Sequence, residues 1–234
     1  MKVGYDFHIH SIASPCGDER MTPNNIINLC TLLDKKVIAV TDHNTCCNVE
    51  TIKKLGEEKN ILVIPGMELE CMEEFHCITL FPTVEATKEV EKIIQNAMPK
   101  VKNKPTIFGH QWVMNEEDEV IGEIEQMLLV ASQISIEELC PLVRSYGGII
   151  YPAHIDRSSY SILSNLGTIP KELGFKTIEL SKIAKMDEYM NQYKDYRIVT
   201  GSDAHYLENL CEGEFFIDLS TYSQKDVFEW LNNC

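Results

Sequence analysis

With 234 residues, 44% of them hydrophobic, the chain has the length and composition of a single globular unit. It contains nothing near the roughly 18 consecutive apolar residues of a membrane span, and it starts without a basic-then-apolar signal segment. No membrane partner is expected, and the expected location is cytoplasmic. The formal net charge is −15. Proteins that grip a long polyanion normally carry a basic stripe, so a small substrate is favoured and duplex nucleic acid is not expected as a partner. The nine cysteines are scattered, odd in number and free of any C-x-x-C pair, which reads as small buried hydrophobes rather than a disulfide framework.

In chain order, Asp6-Phe7-His8-Ile9-His10 continues Val3, Gly4 and Tyr5 as a first strand. Residues two apart on a strand share a face, so Asp6, His8 and His10 are aligned. After a loop over 11–21, Thr22-Pro23 predicts a helix start, a capping hydroxyl followed by Pro in the first turn. Ile26, Ile27, Cys30 and Leu33 then recur at helical spacing. The continuous apolar run Val37-Ile38-Ala39-Val40 predicts a strand buried on both faces, and it ends in Thr41-Asp42-His43-Asn44. A helix over 49–59 leads to a strand over 61–64, which ends in Pro65-Gly66-Met67-Glu68-Leu69-Glu70. His76 opens a further strand over 76–81.

Between 82 and 134 the rhythm breaks, and the sequence predicts a helical insertion covering one end of the fold. Val90, Ile93, Ile94 and Ala97 mark an amphipathic helix over 85–97. A basic, Pro-containing loop leads to Gly109-His110-Gln111-Trp112. The acidic run 116–119 reads as the solvated start of a helix through Ile121, Ile124 and Leu128. Ser135-Ile136-Glu137-Glu138 is a capping box that opens a helix to Tyr146. A strand over 149–151 ends in Pro152-Ala153-His154. Strands over 177–180 and 197–200 follow, the second ending in Gly201-Ser202-Asp203-Ala204-His205. A last strand from Glu214 to Leu219 and a helix capped by Ser223 close the chain.

Alternating strands and helices predict an α/β fold with a parallel sheet and right-handed crossovers. About seven strands suit a TIM-barrel-like (β/α) barrel, closed or slightly distorted, as a single domain over 1–234. In such barrels the reactive residues sit at the C-terminal strand ends. His43, Glu68, His154, Asp203 and His205 all fall there. Neutral imidazole and carboxylate suit zinc, manganese and iron. Six of the seven histidines together with Asp18, Glu68 and Asp203 are too many donors for one ion, and serve three ions at three donors each. Sites with two or more ions bind the oxygens of an in-line phosphoryl displacement. The predicted reaction is hydrolysis of a phosphate ester, with a small phosphorylated molecule as substrate.

Asp6-x-His8-x-His10, Thr41-Asp42-His43, Pro65-Gly66-x-Glu68, Pro152-Ala153-His154 and Gly201-Ser202-Asp203-Ala204-His205 together resemble the motifs of the PHP (polymerase and histidinol phosphatase) family of metal-dependent phosphoesterases. The resemblance spans residues 6 to 205 in family order. It implies a distorted seven-stranded (β/α) barrel carrying two or three divalent ions (Zn, Mn or Fe) at its C-terminal mouth. Carried over by position, His8, His10, Glu68 and Asp203 hold the first ion. Glu68 bridges to a second, completed by His76 and His154, and Asp18, His43 and His205 hold the third. The loop Ser14-Pro15-Cys16-Gly17-Asp18 is longer than the family pattern, which leaves Cys16 as the substitute for Asp18. Glu68, Asp203 and His205 are expected to serve catalysis as well as metal binding. Arg157, three residues beyond His154, is placed to clamp a substrate phosphate with its planar fork. Asp6 and Asp42 are expected to orient ligands from behind, whereas His110 reads as an ordinary loop histidine. Among small family members, the Glu-rich insertion leans towards those acting on a 3′,5′-nucleoside bisphosphate or short oligonucleotide, with Trp112 and Phe108 available to stack a base. A histidinol-phosphatase-like enzyme and a non-catalytic metal-binding module are the alternatives.

Overall fold

The first strand, β1 (Lys2–Ile9), lies at the centre of the structure, a computed structural model that describes residues 1–211, 213 and 215–233. Helix α1 (Pro23–Leu32) begins as its sequence requires. The Thr22 side chain accepts from the Asn25 N–H, and Pro23 occupies the first turn, where no N–H is needed. Strand β2 (Lys35–Val40) pairs parallel with β1. Helix α2 (Val49–Glu58) buries Val49, Ile52 and Leu55, and a two-residue β3 (Leu62–Val63) pairs parallel with β2.

The next segment departs from the sequence reading. Residues 66–70, expected to form the loop after the third strand, are a strand of their own, β4 (Gly66–Glu70). Strand β5 (His76–Leu80) runs antiparallel to it. Residues 71–75 between them are too few for a parallel connection, which needs a crossover of about a dozen residues or more. The sheet is therefore mixed where a parallel one was expected.

The insertion also differs. Thr83 caps α3 (Val84–Ala97) as an amphipathic helix, and a short α4 (Pro105–Phe108) follows. The second helix expected around Ile121 is instead a hairpin of β6 (Trp112–Met114) and β7 (Val120–Glu123). The acidic run forms its turn. Asn115 Oδ1 accepts from the N–H groups of Glu117 and Glu119, and Asp118 adopts φ +59°. Such side chain-to-backbone bonds offer the chain an alternative to helix. At the tip, Asp118 accepts from the Thr22 hydroxyl at 2.6 Å and from the Asn24 N–H at 3.1 Å, so the hairpin docks on the start of α1.

Helix α5 (Ile136–Ser145) has the capping box its sequence predicts, and β8 (Ile149–Pro152) pairs antiparallel with β5. After α6 (Ile162–Leu166) come β9 (Thr177–Ser181), α7 (Met186–Gln192) and β10 (Arg197–Gly201), with β9 and β10 parallel. Helix α8 (Leu207–Leu210) precedes β11 (Phe216–Asp218), which is antiparallel to β1, and Ser223 caps α9 (Gln224–Asn232). Glu214, the expected start of the last strand, lies outside the described residues.

Among the described residues the ladders form four sheets: β11-β1-β2-β3, β9-β10, β4-β5-β8 and β6-β7. Single bridges, Ile9 to Ala204 and His43 to Glu68, link the first to the second and third. The fold is mixed α/β, and among the described residues no closed seven-stranded barrel is formed. A two-residue β3 and an antiparallel β5 leave too little continuous parallel pairing to complete the ring. No helix of the described residues is long and apolar enough to cross a membrane.

Alternation along β1 sends Tyr5 and Phe7 into an apolar cluster with Val37, Ala39, Ile78 and Tyr151. Asp6, His8 and His10 keep the other parity and are buried as well.

Candidate metal centre

Glu68, on β4, is the hub. Its Oε1 lies 3.2 Å from His8 Nε2, 2.9 Å from His76 Nδ1 and 3.1 Å from His154 Nε2. Its Oε2 lies 3.3 Å from His10 Nε2 and 3.0 Å from His43 Nδ1. Asp203 supplies the second carboxylate, with Oδ1 3.3 Å from His8 Nε2, 3.2 Å from His10 Nε2 and 3.5 Å from His205 Nδ1. The strand ends create this convergence. β1 delivers His8 and His10, the turns after β2, β8 and β10 deliver His43, His154 and the Asp203/His205 pair, and the antiparallel start of β5 delivers His76. The backbone is strained at these places. His154, Asp203 and Asn44 adopt φ of +29°, +49° and +52°, a region that costs a non-glycine residue energy and recurs at functional sites.

The donor set fits divalent cations. Among the described residues, His8 Nε2, His10 Nε2 and Glu68 Oε2 are buried and, close as they lie to one another's groups, complete no hydrogen bond. Each such atom costs about 1–3 kcal/mol if left unpaired, and their clustering in one place is what a set of metal ligands looks like without its ions. Three groups have all their donor atoms within 4.8 Å of one another: His8/His10/Asp203, His43/Glu68/His76 and His10/His43/His205. Protonation is uneven across the cluster. Burial by itself would raise the Glu68 carboxyl, but His76, His8 and His43 pull it well below the usual range. Burial would lower His8, but Glu179, Glu68 and Asp203 raise it well above an ordinary histidine. Burial would lower His10, but the Asp203 and Glu68 carboxylates beside it raise it to about 9. Burial and the neighbouring His10 push His205 down to about 4. Cations bound here displace protons, which makes their affinity pH-dependent.

A family model for the PHP domain matches residues 6–209 of this chain. The chain belongs to the PHP family.

The fold of this PHP domain is similar to that of the lesion-specific endonuclease Q of Pyrococcus furiosus, with a TM-score of 0.73 and 15% identity, covering 99% of this chain and 56% of that one. It is also similar to endonuclease Q bound to a 27-mer duplex with an abasic lesion at the active site (TM-score 0.70, 16% identity, 97% and 55% coverage). A Bifidobacterium adolescentis protein assigned as a metal-dependent phosphoesterase matches at TM-score 0.66 and 16% identity, over 99% of this chain and 97% of that one. Mouse TRAF3-interacting protein 1 is 33% identical over 102 residues, which is 44% of this chain but 15% of that protein. The chain thus spans just over half the length of endonuclease Q and a small part of the mouse protein. The expectation that acidic composition rules out duplex nucleic acid is corrected by the endonuclease Q complex, in which a protein of this fold holds a duplex at its active site. Net charge is a sum over the whole surface, whereas the field at a metal-ligating mouth is dominated by the ions it binds.

The structure brings together every ligand expected for the PHP centre except Asp18. The Asp18 carboxylate turns to Arg20, with Oδ1 2.7 Å from Nε, although its main-chain N–H donates to the His205 carbonyl at 2.8 Å. Cys16 also stands outside the three groups. Its thiol is pushed up to about 12 by burial and by the carboxylates of Glu68, Asp42 and Asp203. His43, expected to share an ion with Asp18 and His205, groups both with His10 and His205 and with Glu68 and His76. Arg157 Nη2 lies 2.6 Å from Asp203 Oδ2, and its side chain is 45% exposed. His110 bonds to Glu123 at 2.9 Å and stacks on Trp112.

The supports behind the ligands were partly legible. Asp42 accepts from the Ser11 and Ser14 hydroxyls at 2.6 and 2.7 Å. Ser14 Oγ in turn lies 3.0 Å from His10 Nδ1, so Asp42 orients His10 through Ser14, which the sequence reading had not singled out. Asp6 acts on main chain rather than on an imidazole. It accepts from the N–H groups of Ser202 and His8 and pairs with the buried Lys35 at 3.1 Å. Two further residues were missed. Glu179 lies against His8, and its only sequence signal is a charge inside an apolar strand. Tyr160, at φ +53°, stacks its ring 5.0 Å from that of His76.

Proposed function

We propose that this PHP-domain protein hydrolyses a phosphate ester of a nucleotide or nucleic-acid strand, with a 3′,5′-nucleoside bisphosphate or short oligonucleotide as the small-substrate form. In this reading His8, His10, Glu68 and Asp203 would hold one divalent ion, Glu68 with His76 and His154 would hold a second, and His43 and His205 would serve a third. Bound zinc, manganese or iron would supply Lewis acidity at the phosphoryl oxygens and lower the pKa of water.

The observation that carries the reading is the loop after β8. It holds ligand His154, then the half-exposed Arg157 guanidinium beside Asp203, then Tyr160, 53% exposed over ligand His76. A cation with planar donors suits phosphate, and an exposed aromatic face a few residues away suits a base, since stacking contributes about 1–3 kcal/mol per base. In this reading Arg157, paired with Asp203 Oδ2, orients the phosphate, while Asp203 Oδ1 faces His8 and His10. Trp112, which the sequence left available for stacking with core packing as the stronger reading, packs against His110 with ring centroids 4.4 Å apart.

The test is product release from a 3′,5′-nucleoside bisphosphate, histidinol phosphate and a duplex carrying an abasic site, each with manganese or zinc and with a chelated control. Metal-dependent turnover of the bisphosphate over histidinol phosphate is expected, and the reverse preference refutes the reading. Strand cleavage in the duplex extends the substrate to polymeric nucleic acid, the direction in which the endonuclease Q likeness points.

A further inference from the structure

Glu179 sits in the middle of β9, within Thr177-Ile178-Glu179-Leu180, and is 2% exposed. A carboxylate buried this deeply is costly unless its bonds are made. One oxygen makes two of them. Oε1 lies 2.8 Å from His8 Nδ1 and accepts from the His154 main-chain N–H at 3.2 Å. The other, Oε2, is buried and has no hydrogen-bond partner among the described residues. The Glu179 main chain holds the same turn, because its carbonyl accepts from the Ile155 N–H at 2.9 Å. One residue therefore grips the ring of one ligand and the strained backbone of another, and both of those ligands face Glu68 Oε1.

The neighbouring strand is shaped to allow this. A Cβ on Gly201 would lie 2.6 Å from His8 Cβ and 3.3 Å from Glu179 Oε2, so a side chain there would push into the His8–Glu179 pair. The glycine that opens the Gly201-Ser202-Asp203 turn is what leaves room for the contact.

We infer that Glu179 is a positioning residue of the metal centre, which accepts the hydrogen bond of His8 Nδ1–H so that Nε2 is the nitrogen presented to the ion, and which fixes the His154 turn at the same time. The inference rests on the metal-centre reading above. A partner on the far nitrogen sets both tautomer and ring direction, and losing such a partner typically costs about 10–100-fold in metal affinity. A carboxylate present only for packing would contribute to stability and leave the metal untouched.

The experiment uses the full chain and cobalt as the probe. Co2+ affinity is measured by competition titration and the visible spectrum of the bound ion is recorded, while thermal melts of the chelated proteins report the fold. Glu179→Gln keeps the shape and removes the charge. It is expected to melt close to the parent, to bind Co2+ about 10–100-fold more weakly and to shift the visible bands. Glu179→Asp, which keeps the charge but withdraws it from His8, gives a second reading and is expected to fall between the two. A Gln variant with the parent's affinity and spectrum overturns the inference. So does a loss of affinity that appears only in variants whose chelated form also melts early. A parent chain that takes up no Co2+ overturns the metal centre itself, and the role of Glu179 with it.

Discussion

The Asp6–Lys35 pair behind the site gives the sharpest test of how the centre is supported. The Lys35 side chain is 5% exposed and its ammonium lies 3.1 Å from Asp6 Oδ2, while Oδ1 accepts the Ser202 and His8 N–H groups. Asp6→Asn keeps the shape and one acceptor but leaves Lys35 buried without its counter-charge. Breaking a buried pair from one side costs about 3–5 kcal/mol, whereas replacing both partners with neutral groups of similar volume is often close to neutral. Asp6→Asn is thus expected to lose about 3–5 kcal/mol, and the double variant Asp6→Asn/Lys35→Met to recover most of it. The two sites are in contact, so their effects should be strongly non-additive. The assay is urea denaturation of chelated protein, which removes any contribution from bound metal. A loss below about 1 kcal/mol in Asp6→Asn, the size of an exposed pair, would refute the argument. A double variant as unstable as the sum of the singles would do the same. Because Asp6 ties His8 on β1 to Ser202 beside Asp203, weaker metal binding by Asp6→Asn is expected to accompany the lost stability.

Glu68→Gln removes the charge on which five imidazoles converge and is expected to reduce metal-dependent turnover to the level of the chelated control while the far-ultraviolet spectrum stays folded. Sustained turnover in that variant would defeat the metal mechanism. Arg157→Ala removes a half-exposed guanidinium, and since a hydrogen bond to a charged group contributes about 1.5–3 kcal/mol, KM for the phosphorylated substrate should rise roughly 10–100-fold with little change in melting temperature. An unchanged KM would remove Arg157 from the binding reading. Burial raises the Tyr151 phenol well above the ordinary tyrosine value, and the same holds for Tyr5. The fold therefore binds these protons more tightly than the unfolded chain does. Their contribution is complete below about pH 10, the unfolded value, and is lost as pH rises above it. Tyr151 Oη has no hydrogen-bond partner, so Tyr151→Phe should cost little at pH 7 and flatten the alkaline loss in pH-dependent unfolding; a steeper loss would contradict this.

Much of the molecule is written in short-range code. The Thr22 cap with Pro23, the Ser135–Glu138 capping box and the apolar face of α3 are local arrangements, and each forms where the sequence predicts. The period of two along β1 places His8 and His10 together, and the polar residues that end later apolar runs mark the other ligands. Family membership follows from the same residues. What failed was whatever depended on partners distant in sequence, or on competition between local options. The hairpin at 112–123 formed because Asn115 and Asp118 could close a turn and dock on α1, and the Asp18 carboxylate went to the nearby Arg20 and not to the ligand cluster. The direction of β5 was readable in the short spacing from β4, but the expected rhythm of strand and helix concealed it. Duplex nucleic acid was excluded from a global charge, which carries no information about the field at one mouth.

The sequence by itself marked the eight side chains that meet in the candidate centre, together with Asp18, which the structure leaves outside it, because strand periodicity and the residues at strand ends are local properties. The tertiary structure alone decided that five imidazoles converge on Glu68 and that Glu179, 171 positions from His8, stands behind the His8 ring. Those pairings depend on which strands become neighbours, and that is set by the packing of the whole chain.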